Sequence, residues 1–295
     1  MAGTTSGVVA ANGLEFAYET FGDPAARPMV LVMGLGTQMI GWPDGLCRLL
    51  ADAGRYVVRF DNRDIGGSTH LLELPAPNPV AVALRRSRPA YTMDDFAADT
   101  IGVMDALGLR RVDLVGASMG GFISQHVALR APSRIASLTL FMTSTGSRRV
   151  GQTAPKVIAA ILRRPPALDR EAAVEASLQM FGLIGSPAYP ADHAILRELA
   201  GTSYDRGYDA AGSVRQLAAV VAQRNRTKEL ARITAPTLII HGLSDPLVSS
   251  SGGLALARAI PGAKFVGFHG MGHDLPAALW PEFVAEIGSL TARVS

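Results

Sequence analysis

Two spacings of apolar residues alternate along the chain. Met29-Val30-Leu31-Val32-Met33 and Tyr56-Val57-Val58-Arg59-Phe60 are dense apolar runs, as are Val112 to Val115, Ala136 to Met142, Pro236 to Ile240 and Lys264 to Phe268. Runs without alternation suit strands covered on both faces. Between them apolar positions return every three or four residues, which predicts helices around Gly45 to Ala53, after Thr92, over Gly121 to Leu129 and over Pro281 to Thr291. Thr92 followed by Asp95 reads as an N-cap with an acidic first turn, turning Phe96, Ile101, Met104 and Leu107 toward the core. Ahead of these elements, Val8-Val9-Ala10 and Glu15 to Tyr18 flank Asn12-Gly13, a dipeptide that accepts the positive φ of a tight hairpin turn.

Strand and helix taking turns imply a mostly parallel sheet with helices on both faces, an α/β fold. The order is interrupted once. About ninety residues separate the strand ending at Met142 from the one beginning at Pro236, too many for one crossover helix. The gap has helical spacing over Ala154 to Leu162, Ala172 to Phe181 and Ser213 to Gln223, with breaks at Pro165-Pro166 and Pro187. Residues 144–231 therefore read as a helical cap inserted into a core made of 1–143 and 232–295.

Composition narrows the function classes. With 48% hydrophobic and 18% charged residues over 295 positions, the chain can bury a full core. The formal charge is +3, and the basic residues are scattered arginines, with only Lys156, Lys228 and Lys264 as lysines, so a nucleic-acid partner is not expected. The single Cys47 excludes an internal disulfide and reads as a small buried hydrophobe beside Leu46, Leu49 and Leu50. No C-x-x-C or H-E-x-x-H pattern offers a metal cage, and no cofactor is expected. Met1 to Gly7 lacks a charged leader, and no apolar run is long enough to span a bilayer, so a cytoplasmic protein is expected.

The chemistry centres on Gly116-Ala117-Ser118-Met119-Gly120, which lies between an apolar strand and a helix. A strand that reverses into a helix over one serine lifts its hydroxyl above the sheet edge, in a backbone that tolerates only small neighbours. Serine is a poor nucleophile at neutral pH, so it needs a base within reach and a third group to orient that base. His273, in the glycine-rich loop Gly270 to Asp274 past the last strand, is the expected base; His269 lies nearer the strand end and reads as locally bonded. His70, His126, His193 and His241 have ordinary structural readings. Asp245, one turn beyond a strand end, is the expected orienting acid, with an Asx-turn role before Pro246 as its plain alternative. Asp61 and Asp64 read as turn formers paired with Arg59 or Arg63. The chain order Ser118, Asp245, His273 is that of hydrolases whose serine occupies a strand-to-helix turn.

An acyl-transfer intermediate carries negative charge on oxygen, which two backbone N–H groups can receive. Met119 and Leu35, the latter in Met33-Gly34-Leu35-Gly36, are the expected donors; Met39, where a third glycine should stand, argues against a dinucleotide fingerprint. Met39, Trp42, Met119, Met142, Phe181 and Leu247 are candidates to line an apolar substrate site.

Together, Val32-Met33-Gly34, Gly41-Trp42-Pro43-Asp44, Arg59 to Asp64, the Ser118 turn and Gly270-Met271-Gly272-His273 resemble the α/β-hydrolase superfamily. Within it they are similar to the bacterial carboxylesterase subgroup that contains aclacinomycin methylesterase. That resemblance implies an eight-stranded core, a Ser118–Asp245–His273 triad and a small-molecule ester substrate. Met33 departs from the wider pattern, where histidine commonly precedes the oxyanion glycine. The expected activity is ester hydrolysis through an acyl-enzyme. Thioester, lactone, amide or carbon–carbon hydrolysis and acyl transfer could use the same triad, and a non-catalytic receptor is a further alternative.

Overall fold

The computed structural model describes residues 4–163, 167 and 169–292. The expected break at Pro165-Pro166 and the first three residues of the N-terminal segment lie outside the described residues. The chain opens with a hairpin, β1 (Thr5–Ala11) and β2 (Leu14–Phe21), whose turn takes φ 51° at Asn12 and 74° at Gly13. There follow β3 (Arg27–Val32), α1 (Asp44–Asp52), β4 (Arg55–Phe60), α2 (Pro79–Ala83), α3 (Met93–Ala106), β5 (Val112–Ala117), α4 (Met119–Arg130) and β6 (Ile135–Phe141). Four helices come next: α5 (Pro155–Arg163), α6 (Arg170–Ile184), α7 (His193–Asp205) and α8 (Ala210–Ala222). The chain closes with β7 (Thr237–Gly242), α9 (Ser251–Ala259), β8 (Lys264–Phe268) and α10 (Trp280–Thr291).

The eight strands form one sheet in the order β1-β2-β4-β3-β5-β6-β7-β8. The first two are antiparallel to their neighbours, and β4 through β8 run parallel. This is the α/β-hydrolase fold, with helices on both faces as the alternating pattern requires. One face is filled by Phe96 and Met104 of α3, Ile123 and Val127 of α4 and Leu256 of α9 against Val30, Leu114 and Leu138. The other packs Leu46, Cys47 and Leu50 of α1 and Phe283, Ile287 and Leu290 of α10 against Leu31, Val115 and Ile240. Burial pushes the Cys47 thiol up to about 12, against the opposing pull of Arg59, so it stays a neutral packing group. Leu49 differs from expectation: it stands 39% exposed, because α1 turns that position to solvent.

The Thr92 start of α3 is as read from sequence. Asp95 accepts hydrogen bonds from Thr92 N–H at 2.7 Å and from its hydroxyl at 2.8 Å. Three helices went unmarked in the sequence: α2, α7 and α9. Parallel strands all point one way, so the loops after β3, β5, β6, β7 and β8 gather along a single edge of the sheet.

Candidate active site

Ser118 is the one residue between β5 and α4, and its backbone is strained, with φ 55° and ψ −116°. Its N–H donates to Phe141 O at 2.9 Å, while its carbonyl accepts from the Thr143 hydroxyl at 2.8 Å and Gly121 N at 3.0 Å. These bonds hold a conformation that a free serine would leave. The two flanking glycines are required by contact: a Cβ on Gly116 would overlap Gly120 O, and one on Gly120 would overlap Val32 O. The turn is thus wedged between β3 and α4, with the serine partly exposed at the sheet edge.

Asp245 and His273 meet at the same edge, from the loops after β7 and β8. His273 Nδ1 lies 2.7 Å from Asp245 Oδ2, and the carboxylate is enclosed. Asp245 Oδ1 accepts from Leu247 N at 2.8 Å and Val248 N at 2.9 Å. The Asx turn and the histidine partnership are therefore two uses of one carboxylate, one per oxygen. Burial by itself would raise this carboxyl, but the His273 charge, the neighbouring His241 ring and the bonds from His273 and Val248 N outweigh it and bring it down to about 2. His241 Nε2, 3.6 Å from Asp245 Oδ2, is spent on Val248 O at 2.7 Å, the backbone bonding read from sequence.

Of the two expected oxyanion donors, Met119 directly follows Ser118, and Leu35 follows Gly34 in the loop after β3. Met119 is the first residue of α4, whose N–H has no acceptor inside the helix. The glycine before Leu35 sits against Ser118: a Cβ on Gly34 would lie 3.1 Å from Ser118 Cβ. Gly36 N donates to Gln216 Oε1 of α8 at 2.9 Å, and Asn62 Nδ2 donates to Met33 O at 3.1 Å. Those two amides support the loop where Met33 replaces the more usual histidine.

The apolar candidates separate. Trp42 is core, 1% exposed and packed edge-to-face on Phe141 at 5.8 Å. Met39 and Met142 are also enclosed, the latter at φ 48° just after β6. Phe181 and Leu247 are partly exposed, on α6 and on the loop after Asp245. His126 pairs with Asp94, and His70 bonds Gly66 O, both away from any role at Ser118. His269 is exposed, with no local hydrogen bond among the described residues.

One reading from the sequence is corrected. Asp61 and Asp64 do not pair with Arg59 or Arg63; they pair with the helices between β6 and β7. Asp64 takes a two-pronged contact from Arg215 of α8 at 2.8 and 2.9 Å and the Tyr91 hydroxyl at 2.6 Å, and Asp61 is met by Arg206 at 2.7 Å. Burial raises the Asp64 carboxyl, yet Arg215, Tyr91 and Leu71 N together hold it below the usual range. Arg59 instead pairs with Glu19 and Asp44, and Arg63 with Asp99. The partners of Asp61 and Asp64 lie about 150 residues downstream.

A second set of contacts was not visible in the sequence. The end of α6 grips the His273 loop: His273 N donates to Ile184 O at 2.7 Å and Ala188 N to Gly270 O at 3.1 Å. The Ser186 hydroxyl accepts from Gly272 N at 2.9 Å and donates to Asp274. Burial holds the Asp274 carboxyl above its ordinary range despite that bond. A conspicuous Ser-Pro pair at 186–187 and an acid beside His273 were the only signals available.

The alpha/beta hydrolase fold family matches residues 27–276. A rhodomycin D methylesterase of Streptomyces sp. (strain C5) is 30% identical over 290 residues, covering 91% of this chain and 92% of that protein. Among solved structures, a hydrolase from Pseudomonas aeruginosa superimposes with a TM-score of 0.72 at 26% identity over 97% of both chains. An esterase from Rhodococcus sp. ECU1013 does so at 0.75 and 20% identity over 100% of both, a likeness of fold alone. Among the described residues no helix is long and apolar enough to cross a membrane.

Proposed function

Because the chain belongs to the α/β-hydrolase fold family, we propose that it hydrolyses carboxylic esters through an acyl-enzyme on Ser118. His273 takes the Ser118 proton through Nε2 as the hydroxyl attacks the ester carbonyl. Asp245, bonded to Nδ1, fixes the tautomer and stabilises the imidazolium. The Leu35 and Met119 N–H groups receive the oxyanion, each such donor contributing about 3 kcal/mol to the transition state in comparable sites. His273 then protonates the leaving alcohol, and water repeats the sequence to free the acid. No cofactor enters any step.

The observation that carries this reading is the placement of a strained Ser118 on the same sheet edge as the His273–Asp245 pair. A non-glycine residue at φ 55° is uncommon, and strain of this kind supports a functional reading of Ser118. The 144–231 insert serves as a cap over the crevice, and Phe181 and Leu247 suit an apolar acid portion. The rhodomycin D methylesterase similarity favours a methyl ester, with methanol as the leaving group.

The test is a substrate panel of methyl, ethyl, butyl and p-nitrophenyl esters set against matched thioesters and amides. Ester turnover that vanishes in Ser118→Ala is the expected result. Strong activity on amides or thioesters with negligible ester turnover would replace the ester assignment.

A further inference from the structure

The loop that carries Leu35 has little of its own to hold its shape. Gly34 and Gly36 flank that residue, Gly36 at φ 61°, and the turn closes with Thr37 N donating to Gly34 O at 3.3 Å. Glycine on both sides leaves several backbone conformations close in energy. Among the described residues the Leu35 N–H donates to no protein acceptor, whereas the next amide, Gly36 N–H, donates to Gln216 Oε1 at 2.9 Å. The carbonyl of that same peptide unit, Leu35 O, accepts from the Thr37 hydroxyl at 3.2 Å. The peptide plane between Leu35 and Gly36 is therefore held at both ends, once from within the loop and once from α8.

Gln216 is fully buried, and both ends of its amide are used: Nε2 donates to Arg63 O at 2.8 Å. One side chain thus bridges the loops after β3 and β4. The bridge needs an amide, because one end meets an N–H and the other a carbonyl. Contacts on either side fix α8 against these loops. Arg215 pairs with Asp64, and a Cβ on Gly36 would lie 3.3 Å from Ser213 Oγ. The far end of the loop is tied separately, with Gln38 Nε2 donating to Ser203 O at 2.6 Å and Met39 N to Asp61 Oδ1 at 2.6 Å. Over Gly34 to Thr37, Gln216 supplies the one hydrogen bond from a side chain outside the loop among the described residues.

We propose that Gln216 is a positioning residue for ester hydrolysis: by holding the Gly36 N–H it fixes the turn that aims the Leu35 N–H at the oxyanion. This rests on the ester-hydrolase reading, in which Leu35 is one of the two donors. Gln216 meets no reacting atom. An oxyanion donor stabilises the transition state only when its direction is set in advance, and a loose turn would have to be ordered in every reaction cycle. That cost falls on the charged intermediate and leaves ground-state binding nearly unchanged.

The experiment measures p-nitrophenyl acetate hydrolysis by the full chain and by Gln216→Met and Gln216→Glu, with kcat counted per active site by fluorophosphonate titration so that unfolded protein does not enter. Gln216→Met keeps the length and removes both hydrogen bonds. Its kcat should fall about 10–100-fold with KM within about twofold, and its affinity for a trifluoromethyl ketone, which forms an oxyanion on the serine, should fall by the same factor. Gln216→Glu returns an acceptor to Gly36 N–H while setting its other oxygen against Arg63 O. Its kcat should recover to within about fivefold of wild type even where its melting temperature drops as far as that of Gln216→Met. A brace between helix and core would make activity follow stability instead. With wild type active, the inference is overturned by Gln216→Met within about twofold of its kcat, by a loss confined to KM, by an unchanged ketone affinity, or by equal losses in the two variants. Wild type that neither turns over the ester nor takes the label on Ser118 would overturn the ester-hydrolase reading, and this inference with it.

Discussion

His273 Nδ1 and Asp245 Oδ2 stand 2.7 Å apart, and the other Asp245 oxygen is held by two backbone amides. The acid is locked before substrate arrives, so its one free task is to hold the imidazole. In Asp245→Asn the amide keeps the shape but offers the wrong partner for Nδ1–H. Turnover of p-nitrophenyl acetate should fall about 10³–10⁴-fold, the loss seen when the acid of a serine triad is replaced this way. A loss below tenfold would remove Asp245 from the proposed triad.

The same carboxylate sets a pH dependence. Its folded value, about 2, lies below the unfolded value of 3.8, so its stabilising effect is present above that unfolded value and is lost as pH falls through the folded one. The shift corresponds to about 2 kcal/mol. Urea unfolding of wild type and Asp245→Asn should therefore show a wild-type advantage that shrinks between pH 4 and pH 2 by about that amount. A constant gap across this window would contradict it.

Ser186 ties the end of α6 to the His273 loop by accepting from Gly272 N and donating to Asp274. It touches no reacting atom and acts by positioning. Ser186→Ala should lower kcat about tenfold while KM changes less than twofold, in keeping with loss of one buried hydrogen bond that orients the base. Inactivation by a fluorophosphonate should slow in parallel. An unchanged inactivation rate would leave Ser186 with a purely structural role.

Much of this arrangement was legible because its signals are local. The Ser118 turn needs small residues at 116 and 120 for contact reasons, and a Gly-x-Ser-x-Gly spacing records that directly. The central strands β3, β5, β6 and β7 announced themselves because burial on both faces favours mostly apolar runs. What was hidden depends on distant partners. Asp64 looked like a turn former until Arg215 was brought beside it, and nothing near residue 64 encodes position 215. Helix α9 escaped notice because Gly252 and Gly253 lower helix propensity; tertiary packing against Ser144 and His241 admits only glycine there. Helix α2 is five residues in a proline-rich stretch, too short for any periodic signal.

Asp64 and Arg215 form a buried pair, 0% and 1% exposed, joining the loop after β4 to α8. Removing one partner strands the other charge. Arg215→Met should cost about 3–5 kcal/mol in denaturant unfolding, and Asp64→Asn/Arg215→Met should recover a substantial part of it. Strict additivity of the two single changes would show that the charges do not interact.

At Gly120 a single methyl would overlap the Val32 carbonyl of β3, and backbone cannot yield as a side-chain tip does. Gly120→Ala should destabilise by about 3 kcal/mol, seen as a melting temperature lower by about 6 °C. A melting point within one degree of wild type, on the order of half a kcal/mol, would mean the turn can open without cost.

The central claim is that Ser118 is a nucleophile activated by His273. Fluorophosphonate labelling followed by peptide mass mapping measures it most directly. The account predicts a single adduct on Ser118, formed at a rate that collapses in His273→Ala and is absent in Ser118→Ala. No adduct on Ser118, or labelling that proceeds as fast without His273, would contradict it.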